Sequence, residues 1–392
     1  MDITIIPGKL QGEITVIPSK SQAHRLLICS AFSDKPTQLC CPQTSRDMNA
    51  TADCLKSLGA EISHDGTYYH ITPVHILPQK ADLHCCDSGS TLRFLLPVVG
   101  ALGVDATFHM TGRLPYRPLS PLWEEMERMG CCLTRPTETT LRCTGRLQAG
   151  HYSIDGSVSS QFITGLLLAL SLLKEKSDLT ITGTLESQPY VDMTLCAMRS
   201  FGVDPELLGS QNLFSSGKLI VEGDWSNGAF FLAAASLGSD VSVLGLDKDS
   251  PQGDRACQDL LAQLKTRFVT IDAKDIPDLV PILAVVAGAQ HGAEFTNIRR
   301  LRLKESDRVE SVIQLLTALG GKAEATEDTL TVFPTGYLGG RVDSAGDHRI
   351  AMATAMAATV CQQPVTILGA EAVNKSYPQF WEEYRRLGGK YE

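Results

Sequence analysis

Six times along the chain, a run that is apolar on almost every side is followed by a second, amphipathic helix. The first runs begin near His24, Ser90, Ser160, Asn227, Asp278 and His348. Stretches such as Thr91-Leu92-Arg93-Phe94-Leu95-Leu96 and Ala229-Phe230-Phe231-Leu232-Ala233 leave no broad polar face, which predicts helices buried between layers. The second helices carry charge on one side. Pro121 to Met129, for example, mixes Glu124, Glu125, Glu127 and Arg128 with Leu122, Trp123 and Met126. Five of them run into glycine, at Leu58-Gly59, Met129-Gly130, Phe201-Gly202, Leu319-Gly320 and Leu387-Gly388. The fourth, Leu260 to Val269, does not. Short strands bounded by Gly, Pro or Asp, such as Leu179 to Thr182 and Val241 to Leu244, are predicted between helices.

One such copy is too small to bury its apolar face alone, so the repetition predicts stacked supersecondary units. The class is α/β (α+β), with three copies before about residue 220 and three after, hence two similar domains. The strand Ile3 to Ile6 is assigned to the second of them. Residues 1–19 with 222–392 then form a discontinuous domain of copies four to six, and residues 20–221 an inserted domain of copies one to three. The chain would cross near Pro18 to Ser21 and near Ile220 to Asp224, and such a double crossing would be a hinge.

Charge narrows the function. Lys plus Arg number 35 and Asp plus Glu 44, a net charge of -9 in 392 residues. A general nucleic-acid binder would be basic, so no nucleic-acid partner is expected. Met1 to Leu10 lacks a basic segment followed by an apolar one, so no secretory signal is expected. The longest uncharged run, Ile350 to Ala370, is broken by Thr354, Thr359, Gln362, Gln363, Pro364 and Thr366, so no membrane span is expected. Twelve cysteines include the adjacent pairs Cys40-Cys41, Cys85-Cys86 and Cys131-Cys132, with no Cys-x-x-Cys and no His-Glu-x-x-His. Reduced, mostly buried thiols in a cytoplasmic protein without a metal site are the expectation.

The candidate chemistry gathers at the starts of helices. Pro18-Ser19-Lys20-Ser21-Gln22-Ala23-His24-Arg25 opens the first buried helix, with Ser21 as a good cap candidate. Cations at a helix N-terminus oppose the dipole unless an anion is bound there. Asp87-Ser88-Gly89-Ser90-Thr91-Leu92-Arg93 repeats this logic, and Gly89 would let a ligand approach the backbone. Arg117 precedes Pro118, which suits a helix's first turn, and is a candidate clamp for carboxylate or phosphate. Gly156-Ser157-Val158-Ser159-Ser160-Gln161 offers hydroxyls, an amide and backbone N–H groups to phosphate oxygens. Lys304-Glu305-Ser306-Asp307-Arg308 places a carboxylate among cations, a setting for proton transfer. Gly346-Asp347-His348-Arg349 and Asn374-Lys375-Ser376 complete the set.

Each motif alone has an ordinary reading. Ser159 and Ser160 would be caps, Asp278 an N-cap, His348 a packed histidine, and Lys304 to Arg308 a solvated face. Together Lys20, Arg25, Arg93, Arg117, Lys304, Arg308, Arg349 and Lys375 are eight cations in an acidic protein. If they converge, the cleft suits a small, highly anionic substrate. No P-loop and no Gly-x-Gly-x-x-Gly fingerprint occurs, so nucleotide chemistry is unsupported.

On these residues the chain resembles the enolpyruvyl transferases, most specifically at Gly156 to Phe162, Lys304 to Arg308, Asp347 to Met352 and Val221-Glu222-Gly223-Asp224, with the segments in the family's order. The resemblance implies two domains of three βαβαββ-type units, a two-stranded hinge that closes around the substrates, and no metal or organic cofactor. The branch it resembles transfers the enolpyruvyl group of phosphoenolpyruvate to the 5-hydroxyl of shikimate 3-phosphate. By that pattern Lys20, Ser21, Arg25, Ser159, Ser160, Gln161, Ser187, Asp278 and Lys304 would hold shikimate 3-phosphate. Lys20, Gly89, Arg117, Gln161, Arg308, Arg349 and Lys375 would hold phosphoenolpyruvate. Lys20 and Glu305 would transfer protons, with Asp278 as the base near the 5-hydroxyl. Gly89 is retained, which implies sensitivity to glyphosate.

The same pattern implies a cytoplasmic monomer whose partners are small anionic metabolites. Arg300 stands where many relatives carry Asn, and Phe94 follows Arg93 where many carry Pro. Two rival readings differ from this one at particular residues. The transferase acting on UDP-N-acetylglucosamine usually has a Cys before its Arg-Pro, whereas the loop here is Gly112-Arg113-Leu114-Pro115-Tyr116-Arg117-Pro118. A non-catalytic anion-binding repeat protein would gain little from Glu305 and Asp278.

Overall fold

All six copies resolve into a helix pair and a small sheet in a computed structural model, which describes residues 1–392. The pairs are α1 (Lys20–Ala31) and α2 (Arg46–Ser57), α3 (Gly89–Leu102) and α4 (Leu122–Arg128), and α5 (Ser160–Ser171) and α6 (Gln188–Ser200). They continue as α7 (Trp225–Ser236) and α8 (Cys257–Leu264), α9 (Val280–Ala289) and α10 (Arg308–Ala318), and α11 (His348–Ala358) and α12 (Phe380–Arg386). The apolar first members are buried as their pattern predicts. Every residue of α11 is buried, and α9 leaves only Ala289 partly exposed. The five glycine endings all turn left-handed, with φ between +74° at Gly202 and +107° at Gly130. That conformation costs a side chain about 1 kcal/mol and costs glycine almost nothing, which is why the helices stop there. α8 lacks this device.

The sheets share one plan. Lys80–Cys86 runs parallel to Asp105–Met110, which pairs antiparallel with Thr140–Gly145, and that strand with Cys131–Thr137. The fifth copy repeats it with Val269–Asp272, Ala293–Thr296, Thr329–Phe333 and Lys322–Ala325. The other copies borrow or abbreviate. The first takes Lys218–Ile220 as the parallel neighbour of Thr37–Cys40. The sixth takes Ile3–Ile6 between Val365–Leu368 and Lys390–Tyr391. The third keeps only the parallel pair His151–Asp155 and Asp178–Thr182, and the fourth only Gln11–Thr15 and Asp240–Leu244. In the fourth copy the chain passes from α8 into the next copy's first strand, leaving no room for a hairpin.

The chain divides into two compact units, residues 1–17 with 222–392 and residues 18–221. Each has its own apolar cluster. In the first unit α7, α9 and α11 pack on one another; in the second α3 packs on α5 and touches α1. No helix is long and apolar enough to cross a membrane.

Three local expectations change. The cap of α1 is Ser19, whose Oγ accepts from Gln22 N at 3.4 Å, so Lys20 and Ser21 lie inside the first turn. Pro118 precedes no helix directly, because α4 begins at Leu122; the carbonyl of Pro118 instead accepts from Arg93 at 3.0 Å. Asp278 is not an N-cap. α9 starts at Val280 without a side-chain cap, and arginines take up the Asp278 carboxylate.

Candidate active site

In the unit of residues 18–221, capping by Ser19 sets Lys20 at the first helical position, where its Nζ donates to Asp47 Oδ2 at 2.9 Å. Ser21 follows, and its carbonyl accepts from Arg25 Nη1. Arg25 is buried. Its Nε donates to Thr194 Oγ1 at 2.8 Å, and its Nη2 to Thr164 Oγ1 and to the Tyr190 carbonyl. A buried guanidinium without such partners would cost several kcal/mol, so these bonds are what make its position tenable, roughly speaking. Burial lowers its pKa to about 10, which still leaves it cationic at neutral pH. Arg25 thus ties α1 to α5 and α6 with every guanidinium nitrogen engaged by protein acceptors.

The start of α3 is more exposed to chemistry. Ser88 caps it, accepting from Thr91 N at 3.3 Å, and Gly89 is its first residue. A methyl at Gly89 would stand 2.8 Å from Nη1 of Arg117 and 3.5 Å from Oε1 of Gln161. Gln161 bridges two helices. Its Oε1 accepts from Arg93 Nη1 at 2.7 Å, and its Nε2 donates to Ser90 Oγ at 3.0 Å. Ser159 caps α5, accepting from Gln161 N at 3.3 Å, and Ser160 is its first residue. Ser187 precedes α6 with a left-handed φ of +59° and is buried. A serine held there carries roughly 1–3 kcal/mol of strain, of the kind concentrated at ligand sites.

In the unit of residues 1–17 and 222–392, Arg308 organises the site from the first turn of α10. Its Nη1 donates to Asp278 Oδ1 at 2.7 Å, its Nη2 to Glu305 Oε2 at 2.7 Å, and its Nε to Asp347 Oδ2 at 3.0 Å. Its side chain is 1% exposed. Arg349 Nη2 reaches the second oxygen of Asp278 at 2.9 Å, and Lys304 Nζ stands 3.7 Å from the first. Lys375, buried, ends the short turn Ala370–Lys375.

The cations are therefore not naked. Lys304, Arg308 and Arg349 are matched by Asp278, Glu305 and Asp347. Burial opposes charge on Asp278, but Arg349, Lys304 and Arg308 outweigh it and hold the carboxyl well below its usual range. Burial also works against the Arg308 charge, and the three carboxylates reverse that and raise its pKa. Lys304 is lowered to about 8 by burial, against the pull of Asp278. Asp254, buried in the turn before α8, is raised to about 7 by burial, with Asp278 adding and Arg349 opposing.

Among the residues anticipated from the sequence, the structure groups Gly89, Arg117 and Gln161 in one unit and Asp278, Lys304, Glu305, Arg308 and Arg349 in the other. It ties Lys20 to Asp47, a partner the sequence did not single out. Asp47 lies in the first turn of α2, where an acidic residue already has an ordinary reason to be. His348 is packed, 1% exposed, as its ordinary reading requires.

The fold is that of the enolpyruvyl transferases. The chain superposes with a TM-score of 0.81 on EPSP synthase from Acinetobacter baumannii, at 24% identity and covering 100% of this chain and 99% of that one. The enolpyruvyl transferase NikO of Streptomyces tendae follows at a TM-score of 0.75 and 18% identity, covering 100% of this chain and 98% of that one. The family model for EPSP synthase (3-phosphoshikimate 1-carboxyvinyltransferase) matches residues 5–384. The 3-phosphoshikimate 1-carboxyvinyltransferase of Clostridium kluyveri is 38% identical over 417 aligned positions, covering 100% of this chain and 98% of the relative. That of Clostridium novyi is 39% identical, covering 99% and 98%. The chain belongs to the EPSP synthase family.

Proposed function

We propose that this chain transfers the enolpyruvyl group of phosphoenolpyruvate to the 5-hydroxyl of shikimate 3-phosphate, releasing phosphate by addition and elimination. The observation that carries the catalytic reading is the carboxylate pair Asp278 and Glu305 locked at 2.7 Å onto one buried arginine, Arg308. An anion-binding module gains little for its ligand from two oriented carboxylates beside its cations; a proton-transfer site uses them.

In the addition step a proton reaches the methylene carbon of phosphoenolpyruvate, C2 becomes electrophilic, the 5-oxygen bonds to C2, and the hydroxyl proton leaves to a carboxylate. In the elimination step the methyl carbon gives a proton back and the C2–O bond to phosphate breaks. Lys20 and Glu305 are assigned to the carbon proton and Asp278 to the hydroxyl. Its pair of arginines keeps Asp278 ionised, so it can orient the hydroxyl and take up its proton as the 5-oxygen bonds to C2, passing it on to the departing phosphate. Gly89, Arg117, Gln161, Arg349 and Lys375, with Lys20, are assigned to phosphoenolpyruvate. Ser21, Ser159, Ser160, Gln161, Ser187 and Lys304, with Lys20 and Asp278, are assigned to shikimate 3-phosphate. Arg25 is assigned to shikimate 3-phosphate and Arg308 to phosphoenolpyruvate; of five guanidinium N–H donors each, Arg25 spends four and Arg308 three on protein acceptors, so each both anchors the site and keeps donor capacity.

The reaction is redox-neutral and each proton has a side-chain carrier, so the proposal includes no metal or organic cofactor. A net charge of -9 argues against a nucleic-acid partner, and the proposal places the chain in the cytoplasm as a monomer.

The test is phosphate release from phosphoenolpyruvate with shikimate 3-phosphate, with UDP-N-acetylglucosamine, and with neither. Release only with the first is expected. Release with the nucleotide sugar alone would overturn the acceptor, and unchanged turnover in Glu305→Gln would overturn the proton-transfer role.

A further inference from the structure

A buried imidazole that the reaction does not use lies directly behind the start of α3. His24, in α1, is fully buried. Its Nδ1 is 2.7 Å from Thr51 Oγ1 in α2. Thr51 Oγ1 is in turn 2.7 Å from Thr91 Oγ1 in α3. Thr91 Oγ1 donates to Ser88 Oγ, the cap of α3, at 2.8 Å, and lies 3.4 Å from the Asp47 carbonyl. One unbroken chain of polar atoms therefore links three helices of one unit. It ends on the residue before Gly89 and on the residue whose carboxylate binds Lys20.

The polarity of the chain fixes the tautomer. Each hydroxyl has one proton to donate. Thr91 donates toward Ser88 or the Asp47 carbonyl, so it must accept from Thr51. Thr51 has then used its proton and must accept from His24 Nδ1–H. The other nitrogen, Nε2, is buried with no hydrogen-bond partner. The ring stands edge-on to Phe94, with centroids 6.2 Å apart and planes at 89°. Burial and the neighbouring Lys20 and Arg25 disfavour a charged ring, Asp47 alone opposing them, and the pKa falls to about 3. A neutral donor suits the task, since a permanent cation would compete with Lys20 for Asp47.

We propose that His24, as the neutral Nδ1–H tautomer, is a positioning residue for enolpyruvyl transfer: through Thr51 and Thr91 it sets the first turn of α3, with Gly89 and Ser90, and the Asp47 segment that holds Lys20. The inference rests on the assignment of Gly89 to the phosphoenolpyruvate site.

Two variants separate donation from packing. Asn places an amide N–H where Nδ1–H stands, while Leu fills similar volume without a donor. His24→Leu is expected to raise KM for phosphoenolpyruvate about tenfold over His24→Asn, the worth of one buried hydrogen bond, with kcat nearly equal in the two. In a double-mutant cycle, Thr51→Val should add little to His24→Leu, because either change cuts the same chain. Nitrogen NMR of histidine-labelled wild-type protein should show one ring that stays neutral, protonated at Nδ1, across the neutral pH range. A ring protonated at Nε2, or one titrating near the ordinary histidine value, would overturn the proposal whether or not the variants fold. Equal KM for the Leu and Asn variants would overturn it as well. Arg117→Ala serves as the control. If it leaves KM for phosphoenolpyruvate unchanged, the assignment of Gly89 and Arg117 has failed, and the NMR result still decides the tautomer.

Discussion

Arg117 lies over Gly89 so closely that even one methyl on the glycine would approach its Nη1 to 2.8 Å. The guanidinium can move only by leaving the place where it faces the start of α3. Gly89→Ala is therefore expected to raise KM for phosphoenolpyruvate by about tenfold or more, roughly one lost charged hydrogen bond. KM for shikimate 3-phosphate should change far less. The wild-type chain should be inhibited by glyphosate, and full activity at millimolar glyphosate would contradict the assignment of this site.

Arg308 ties together three carboxylates from separate segments, at residues 278, 305 and 347. Lys at this position offers no fork and can serve one carboxylate well. Arg308→Lys leaves at least one buried carboxylate short of its partner, a loss on the order of 3–5 kcal/mol. The expected result is a large fall in chemical-denaturation stability together with loss of turnover. A variant as stable as the parent would show that the cluster contributes little to the fold.

Lys304 is cationic below about pH 8 and neutral above it. If its charge holds the phosphate of shikimate 3-phosphate, KM for that substrate should rise as pH passes upward through 8. Lys304→Arg should remove the inflection, because guanidinium keeps its proton throughout that range. The sign for stability runs the same way in pH. The folded chain holds this proton less tightly than the unfolded one, so stability should grow between about pH 8 and 10.5 as the unfolded lysine also becomes neutral.

Asp254 gives the opposite slope in a lower window. Its folded pKa is raised from 3.8 to about 7, so the unfolded chain gives up the proton first and stability falls as pH rises across that interval. Each tenfold difference in proton affinity is worth about 1.4 kcal/mol. Asp254→Asn keeps the shape without the charge. Its melting temperature should match the parent near pH 4, exceed it progressively toward pH 7, and stay higher by a constant margin above. Identical curves at pH 8 would mean that Asp254 is not held against its charge.

Much of the architecture is legible in the chain itself. Helices α9 and α11 could be read as buried because their stretches are apolar on every side, and burial is the only environment that suits such a surface. The five glycine endings could be read because a left-handed residue is a local requirement. Lys304 to Arg308 could be marked because its charges crowd within five positions. What misled was also local. Ser21 is as good a cap as Ser19, and the choice between them depends on where the preceding strand releases the chain.

The repeat, the helix pairs and the residue types gathered at helix starts are set within the chain, since they follow from periodicity and from chemistry within a turn or two. The partnerships between them come from long-range packing. Lys218–Ile220 completes the first copy's sheet, and Gln11–Thr15 joins the fourth copy's strand. Asp278 and Asp347 meet Arg308, and His24 reaches Ser88 through two threonines. Such pairings join segments tens to hundreds of residues apart. They are set by how whole helices and strands pack, so the pattern around any one of these residues gives no sign of them.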